Sequence, residues 1–423
     1  MKRHKILWLS HLVPYPPKGG VLQRAHNLLK ELAKYNDIYL AAFIQPDLIN
    51  SHYDNYEKGI EECQLKLEEI CQQVQFFDIP TEIQANGRII AALKGLFHPQ
   101  GFSVEWLKSA DMRNHLKNLN QNVSFDAIHI DTLALAQYRE IFQGLPAVLD
   151  HHNIESHMML RRAEQETQRL KKLYFYIEGR KLGAYEKTIC TRFELNITCS
   201  DLDSERLQEI IHPRPLNVHS IPNGVDLAYF SPLPEPNNNE PVLIFAGGLS
   251  WYPNQAAIDF FIDDVWEPLT AAIPNLKFYL VGRNPTPKYL SFAQQHSNFI
   301  VTGFVDDVRD YLSKADVYIC PIMDGGGTKL KVLDALAVGI PLVSHPIACE
   351  GIEVTEGQDV LYATTPEQWV AQIKRLIDDP ELNSKIRQNA PCLIEERYSY
   401  TAIGKLFDDH IRKITGTQQH ESK

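Results

Sequence analysis

The chain passes twice through one pattern of strand, glycine-containing loop, striped helix and strand, and that repetition limits its fold more than any other feature. The first pass opens with the apolar run KILWLS and the Pro/Gly loop HLVPYPPKGG. A helix follows in which Ala25, Leu28, Leu29, Leu32 and Ala33 fall at i, i+3, i+4, i+7 and i+8, a single apolar stripe. DIYLAAF reads as the next strand. The second pass begins at Pro241 with PVLIFAGG, the loop LSWYPN and a helix striped by Ile258, Phe261, Ile262, Val265, Trp266 and Leu269, then KFYLVG. Beyond it, the short apolar runs FIVTGF, VYICPI and PLVSH alternate with helical stretches, which is the pattern of parallel sheets covered by helices on both faces. The class is α/β, with two Rossmann-like domains in tandem. Such sheets bind ligands at the carboxyl ends of their strands. The loops Lys18-Gly19-Gly20 and Gly325-Gly326-Gly327 are therefore expected to face each other across a cleft. Pro232 to Pro241 is Pro/Asn-rich and reads as a linker. Residues 50–120 read as a mostly helical insertion in the first domain.

Composition narrows the function classes. The 423 residues are 44% hydrophobic and 22% charged, as in ordinary globular domains, with a net charge of −11 that argues against a chain-wide nucleic-acid surface. The seven cysteines are scattered without a C-x-x-C pair, which suits reduced core thiols in a cytoplasmic protein better than disulfides or zinc. MKRHKILWLS is too short in its apolar part for a signal peptide, and no window reaches the roughly 18 apolar residues of a membrane span. Any membrane contact is expected to be peripheral.

Three stretches carry chemistry. Gly325, Gly326 and Gly327 stand between a strand and a helix, where glycines let a ligand approach the backbone and leave first-turn N–H groups for an anion. Thr328, Lys329 and Lys331 follow. A tight turn with solvated lysines is the alternative. Asp334 sits in the helix LKVLDALAV, almost without a polar face, where a carboxylate costs several kcal/mol unless it is paired or faces a wet cleft. Either Lys331, three residues away, pairs with it, or it accepts hydrogen bonds from ligand hydroxyls. His152 lies in AVLDHHNIES, at the end of a strand beside a second histidine, an acid and Asn153. No convincing third zinc ligand follows from the spacing. Neither G-x-S-x-G nor a dinucleotide G-x-G-x-x-G is present.

Together these segments resemble the retaining nucleotide-sugar glycosyltransferases of family 4, which have the GT-B fold. The strongest match runs from Val301 to Val354. SIPNGVDLAYFSP resembles the P-N-G-V-D-x-x-x-F-x-P segment leading into the second domain, LSHLVPYPPKGGVLQRAHNLLKELAK the N-terminal loop and helix, and VLDHHNIES the first-domain strand that carries a histidine. The resemblance implies an acceptor-side domain over 1–220, a nucleotide-sugar domain over 221–399 and a last helix, 400–423, crossing back to the first. It implies a metal-independent hexosyl transfer, with no cofactor, from a nucleoside-diphosphate sugar to a glycan or lipid-linked acceptor. The setting it implies is cell-surface polysaccharide biosynthesis in the cytoplasm, with peripheral contact at the inner membrane face. In this reading Gly325 to Thr328 meet the pyrophosphate and Gly19 and Gly20 close from the first domain. Asp334 binds ribose hydroxyls as the second acid of E-x7-E, and His152 lies near the transferred sugar. Two departures stand out. The first acid of E-x7-E falls at Gly326, and GGLSWYPN lacks the usual cation pair, a charge that Arg283, Lys329 or Lys331 could replace. A nucleotide-sugar epimerase of the same fold, or an inactive binding scaffold, are the rival readings.

Overall fold

The computed structural model describes residues 2–17, 20–83, 87, 90, 95, 98–324 and 328–421, with side chains left undescribed at Gly20, Ile83 and 417–421. Its contacts divide the chain into Met1–Pro222 with Ile403–Lys423, and Asn223–Ala402.

The first unit is built on a parallel sheet of β1 (Lys5–Ser10), β2 (Asp37–Ile44), β3 (Gln73–Asp78), β4 (Ala127–Asp131), β5 (Ala147–His151), β6 (Leu195–Thr198) and β7 (Val218–Ser220). Their order is β3-β2-β1-β4-β5-β6-β7, so the chain reverses its direction of travel between β1 and β4, where such sheets leave a crevice. β1, β4 and β5 are buried along almost their whole length because helices cover both faces. The helix Gly20–Ala33 lays its stripe on the sheet, with Leu28, Leu29 and Leu32 fully buried and Ala33 only half-buried. The last helix, Tyr400–Glu421, packs in this unit from Ile403 onward. Gly404 makes the close approach possible, since a Cβ there would lie 2.3 Å from Cβ of Glu31. Asn36 then donates to Asp408 at 2.7 Å, and Phe407 meets the ring of His129 edge-on.

The region 50–120 holds helices at Tyr56–Glu68 and Ala110–Asn122 but also the edge strand β3. VQFFD escapes a helical reading only through pairing, Val74 beside Leu40 and Phe77 beside Phe43.

The second unit carries β8 (Val242–Ala246), β9 (Lys277–Val281), β10 (Phe299–Gly303), β11 (Val317–Cys320), β12 (Leu342–Ser344) and β13 (Leu361–Tyr362), all parallel in the order β10-β9-β8-β11-β12-β13. Each residue of the predicted stripe from Ile258 to Leu269 is buried, through a π-helical turn at Phe261–Val265. Phe261, Phe278 and Phe299 interlock there with centroids 4.9 to 5.1 Å apart along the chain of contacts. β8 and β9 end on glycines that touch. Gly247 N–H donates to the Val281 carbonyl, and a Cβ on Gly282 would lie 1.8 Å from the Gly247 oxygen. The segment Pro232 to Pro241 is not a linker. Leu233 N–H donates to the Val338 carbonyl and Asn238 to Asp316, so these residues dock on the second unit. All seven cysteines are unpaired, and six are buried.

Candidate functional site

In the first unit the ends of β1, β4 and β5 are neighbours, and each ends in polar residues. Asp131 closes β4 with 1% of its side chain exposed. One oxygen accepts from Ser10 Oγ at 3.1 Å and bonds His11 Nδ1 at 2.9 Å; the other bonds His152 Nε2. Burial opposes the charge on Asp131, but His152 and His11 outweigh it and hold the carboxyl well below its ordinary range. Burial likewise pulls His152 down, and Asp131 more than restores it, so the imidazole titrates above its ordinary value. Each partner thus favours the charged form of the other in the His152–Asp131 pair at the strand ends. His152 is 11% and His11 15% exposed, so both rings reach the surface.

Behind this pair lies a second buried ion pair. Arg24, on the striped helix, donates to both oxygens of Asp150 at 3.0 and 3.4 Å and to the Ile221 carbonyl at 2.8 Å. Both side chains are 1% exposed. It ties β5, the helix and the end of the unit's sheet together immediately before His152.

The sequence singles out His152 but does not reveal His11, Asp131 and Arg24. The one signal is the end of AIHID, an acid closing an otherwise buried strand, but its partners lie 120 and 21 residues away. The nitrogens of His11 and His152 and an oxygen of Asp131 lie within 4.8 Å of one another, a donor set that suits a divalent ion. The second and third donors come from other strands, which spacing along the chain does not show.

Three residues past His152, the helix Glu155–Gln165 begins. Glu186, from the neighbouring helix Arg169–Ile189, caps it by accepting from Ser156 N at 3.1 Å and from the Ser156 hydroxyl. Burial pushes Glu155 up to about 8, with Glu186 adding to it, and pushes Glu186 itself up to about 7 against the Ser156 hydrogen bonds. The folded state thus holds protons that the unfolded chain releases near 4.5. Stability from these acids is complete below that value and is lost as pH rises through 7 to 8. His151 and His115, held low by burial, act in the opposite sense only below 6.5. Melting temperature is therefore expected to fall between pH 6.5 and about 8, and Glu155→Gln with Glu186→Gln should flatten that slope.

In the second unit Asp334 lies on the helix Leu330–Ala337, half-buried among the buried Val332, Leu333, Ala335 and Leu336. Lys331 does not pair with it. Its ammonium donates to Asn254 Oδ1 at 2.6 Å and sits 4.4 Å over the Phe245 ring. Burial lowers Lys331 to about 8 and raises Asp334 to about 8. Among the described residues no hydrogen bond or ion pair satisfies the Asp334 carboxyl. Lys329 is the N-cap of the helix in extended backbone, and Thr328 beside it is buried. Arg283 follows β9 and stacks 4.8 Å from the exposed Phe304 ring. Gly20 opens the helix Gly20–Ala33. Gly19, Gly325, Gly326 and Gly327 lie outside the described residues.

A family model described as "Glycosyltransferase Family 4" matches residues 18–229, half of the chain. The chain belongs to glycosyltransferase family 4. A second model, "Glycosyl transferases group 1", matches residues 240–379, so both units of this glycosyltransferase are accounted for. Alpha-D-kanosaminyltransferase of Streptomyces kanamyceticus is 22% identical over 186 residues, 42% of this chain and 47% of that protein, so the match spans about half the relative's length. Among solved structures, sucrose-phosphate synthase from Thermosynechococcus elongatus superposes with a TM-score of 0.67 at 16% identity, covering 98% of this chain and all of the other. The Anabaena HepE protein in complex with UDP and glucose gives 0.63 at 14% identity, covering 97% and 100%. These likenesses give the fold, GT-B.

Proposed function

We propose that this glycosyltransferase moves a hexose, with its anomeric configuration retained, from a nucleoside-diphosphate sugar to a glycan or lipid-linked acceptor. The observation that carries the reading is Asp334, whose carboxyl is raised by burial yet satisfied by no described residue while Lys331 turns away to Asn254. A carboxylate kept at that cost is suited to ligand hydroxyls. Family membership and the UDP and glucose bound by the HepE protein support a nucleotide-sugar donor.

In this reading Asp334 accepts from ribose hydroxyls, and Thr328, Lys329 and the helix start meet the diphosphate, with Gly325 to Gly327 beside them. Their donors stabilise the charge that grows on the leaving group, where electrostatic stabilisation lowers the barrier most. Arg283 supplies a further cation. His152, whose protonated form Asp131 favours, serves the transferred sugar as a positioned hydrogen-bond donor. Lys331, donating to Asn254, adds positive charge beneath the diphosphate. We read the transfer as metal-independent; Asp307, in one of the chain's four Asp-Asp pairs, is engaged by Arg309 and Tyr229. The setting is polysaccharide biosynthesis in the cytoplasm, with peripheral contact at the membrane. Among the described residues no helix is long and apolar enough to cross one.

Thermal melting with UDP, GDP, ADP and their sugars, each with and without EDTA, tests this. One nucleotide and its sugar should stabilise the protein by about 2.7 kcal/mol at a hundred times Kd, unchanged by EDTA. Stabilisation by none would favour a binding scaffold. Binding followed by conversion of the donor without transfer would favour an epimerase.

A further inference from the structure

The helices Glu155–Gln165 and Arg169–Ile189 form an antiparallel hairpin with an open groove of about 570 Å³ between them. Its wall on the second helix is made by Arg169, Lys172, Leu173, Tyr176 and Arg180, which fall at i, i+3, i+4, i+7 and i+11, one helical face. The apolar members are unusually bare. Leu173 is 54% and Tyr176 52% exposed, and Leu170, at the tip beside the turn, is 83% exposed. One acid, Glu164, lines the groove. Glu166, in the turn, accepts from Gln168 N–H, and the neighbouring acids Glu178 and Glu186 are buried and used as caps, Glu178 for Phe102 and Ser103, Glu186 for Ser156. A cationic, apolar-tipped surface therefore stands out from a chain whose net charge is −11.

We propose that this hairpin docks the enzyme on an anionic phospholipid surface, with Leu170, Leu173 and Tyr176 entering the headgroup layer and Arg169, Lys172 and Arg180 meeting lipid phosphates. Apolar side chains flanked by lysine and arginine on one helical face suit an interfacial helix. The charge is complementary to such a surface and opposite in sign to the rest of the protein. Three bare apolar side chains fall well short of the roughly 1,000 Å² that a stable protein interface buries. The inference rests on the lipid-linked acceptor of the proposed function, and names the part of the protein that would bring the enzyme to it.

Vesicle co-sedimentation of the full chain, without donor or acceptor, tests the surface separately from transfer. Vesicles of phosphatidylglycerol and phosphatidylcholine in equal parts should retain the protein at low salt, phosphatidylcholine alone should not, and salt should release it. Arg169→Gln with Lys172→Gln should weaken partitioning about 25-fold, at about fivefold for each basic residue removed. Leu170→Ser with Leu173→Ser should also release the protein, and both variants should melt as the parent does. Absence of binding to the anionic vesicles, or binding that neither variant alters, overturns the proposal. Loss of a dimer in sedimentation equilibrium with either variant would assign the face to a second copy and overturn it as well. Transfer to a soluble acceptor should persist in both variants; its absence in the parent, with vesicle binding intact, would count against the transfer reading alone.

Discussion

Arg24→Ala is expected to destabilise the first unit by about 3–5 kcal/mol, because it leaves the Asp150 carboxylate buried without its cation. Burial opposes the charge on Asp150, and Arg24 first, then His129, hold it ionised well below the ordinary range. Without the guanidinium, the carboxylate must take a proton or stay charged without its cation, and the Ile221 carbonyl loses a donor. In a unit of this size the loss corresponds to a fall of about 10 °C in melting temperature. Arg24→Met with Asp150→Asn removes both charges and should lose less than the single change. A single variant that melts with the parent would show that the pair does not hold the strand ends together.

The regular parts of this molecule are legible in the sequence because local periodicity makes them. The stripes on Gly20–Ala33 and from Ile258 to Leu269 bury as their spacing predicts, and the apolar runs at β1, β8 and β11 lie inside parallel sheets. What the sequence hides is set by partners distant along the chain. β3 is an edge strand whose alternation is too short to outweigh the helical residues before it, and pairing with β2 decides it. Pro232 to Pro241 has a linker's composition, but its backbone and Asn238 find partners on the second unit. The same limit governs the site. His152 is visible as a polar residue at the end of a strand. Its raised titration depends on Asp131 from the next strand, and the cluster is completed by His11 from the strand beyond.

Lys331 is the reverse case, a local expectation overridden by packing. Three residues from Asp334 on a helix, it has the spacing of an ion pair. Its ammonium is drawn instead over the Phe245 ring and onto Asn254, and a Cβ on Gly247 would lie 2.6 Å from it. Gly247, just past β8, thus makes room for the lysine, leaving the acid to a different partner.

The partner proposed for Asp334 is the donor nucleotide, and Asp334→Asn tests that proposal most directly. Ligand hydroxyls donating to the carboxylate make charged hydrogen bonds worth roughly 1.5–3 kcal/mol, so the variant should bind the donor nucleotide about 10- to 100-fold more weakly. Burial already holds this carboxyl up at about 8, so asparagine removes a cost from the empty protein, which should melt at or above the parent. Both quantities should be measured on one sample near pH 8, where the parent carboxylate is available. Weaker nucleotide binding with an unchanged or raised melting temperature is the predicted result. A lowered melting temperature with unchanged nucleotide affinity would contradict it, making Asp334 part of the second unit's scaffold and not of its donor site.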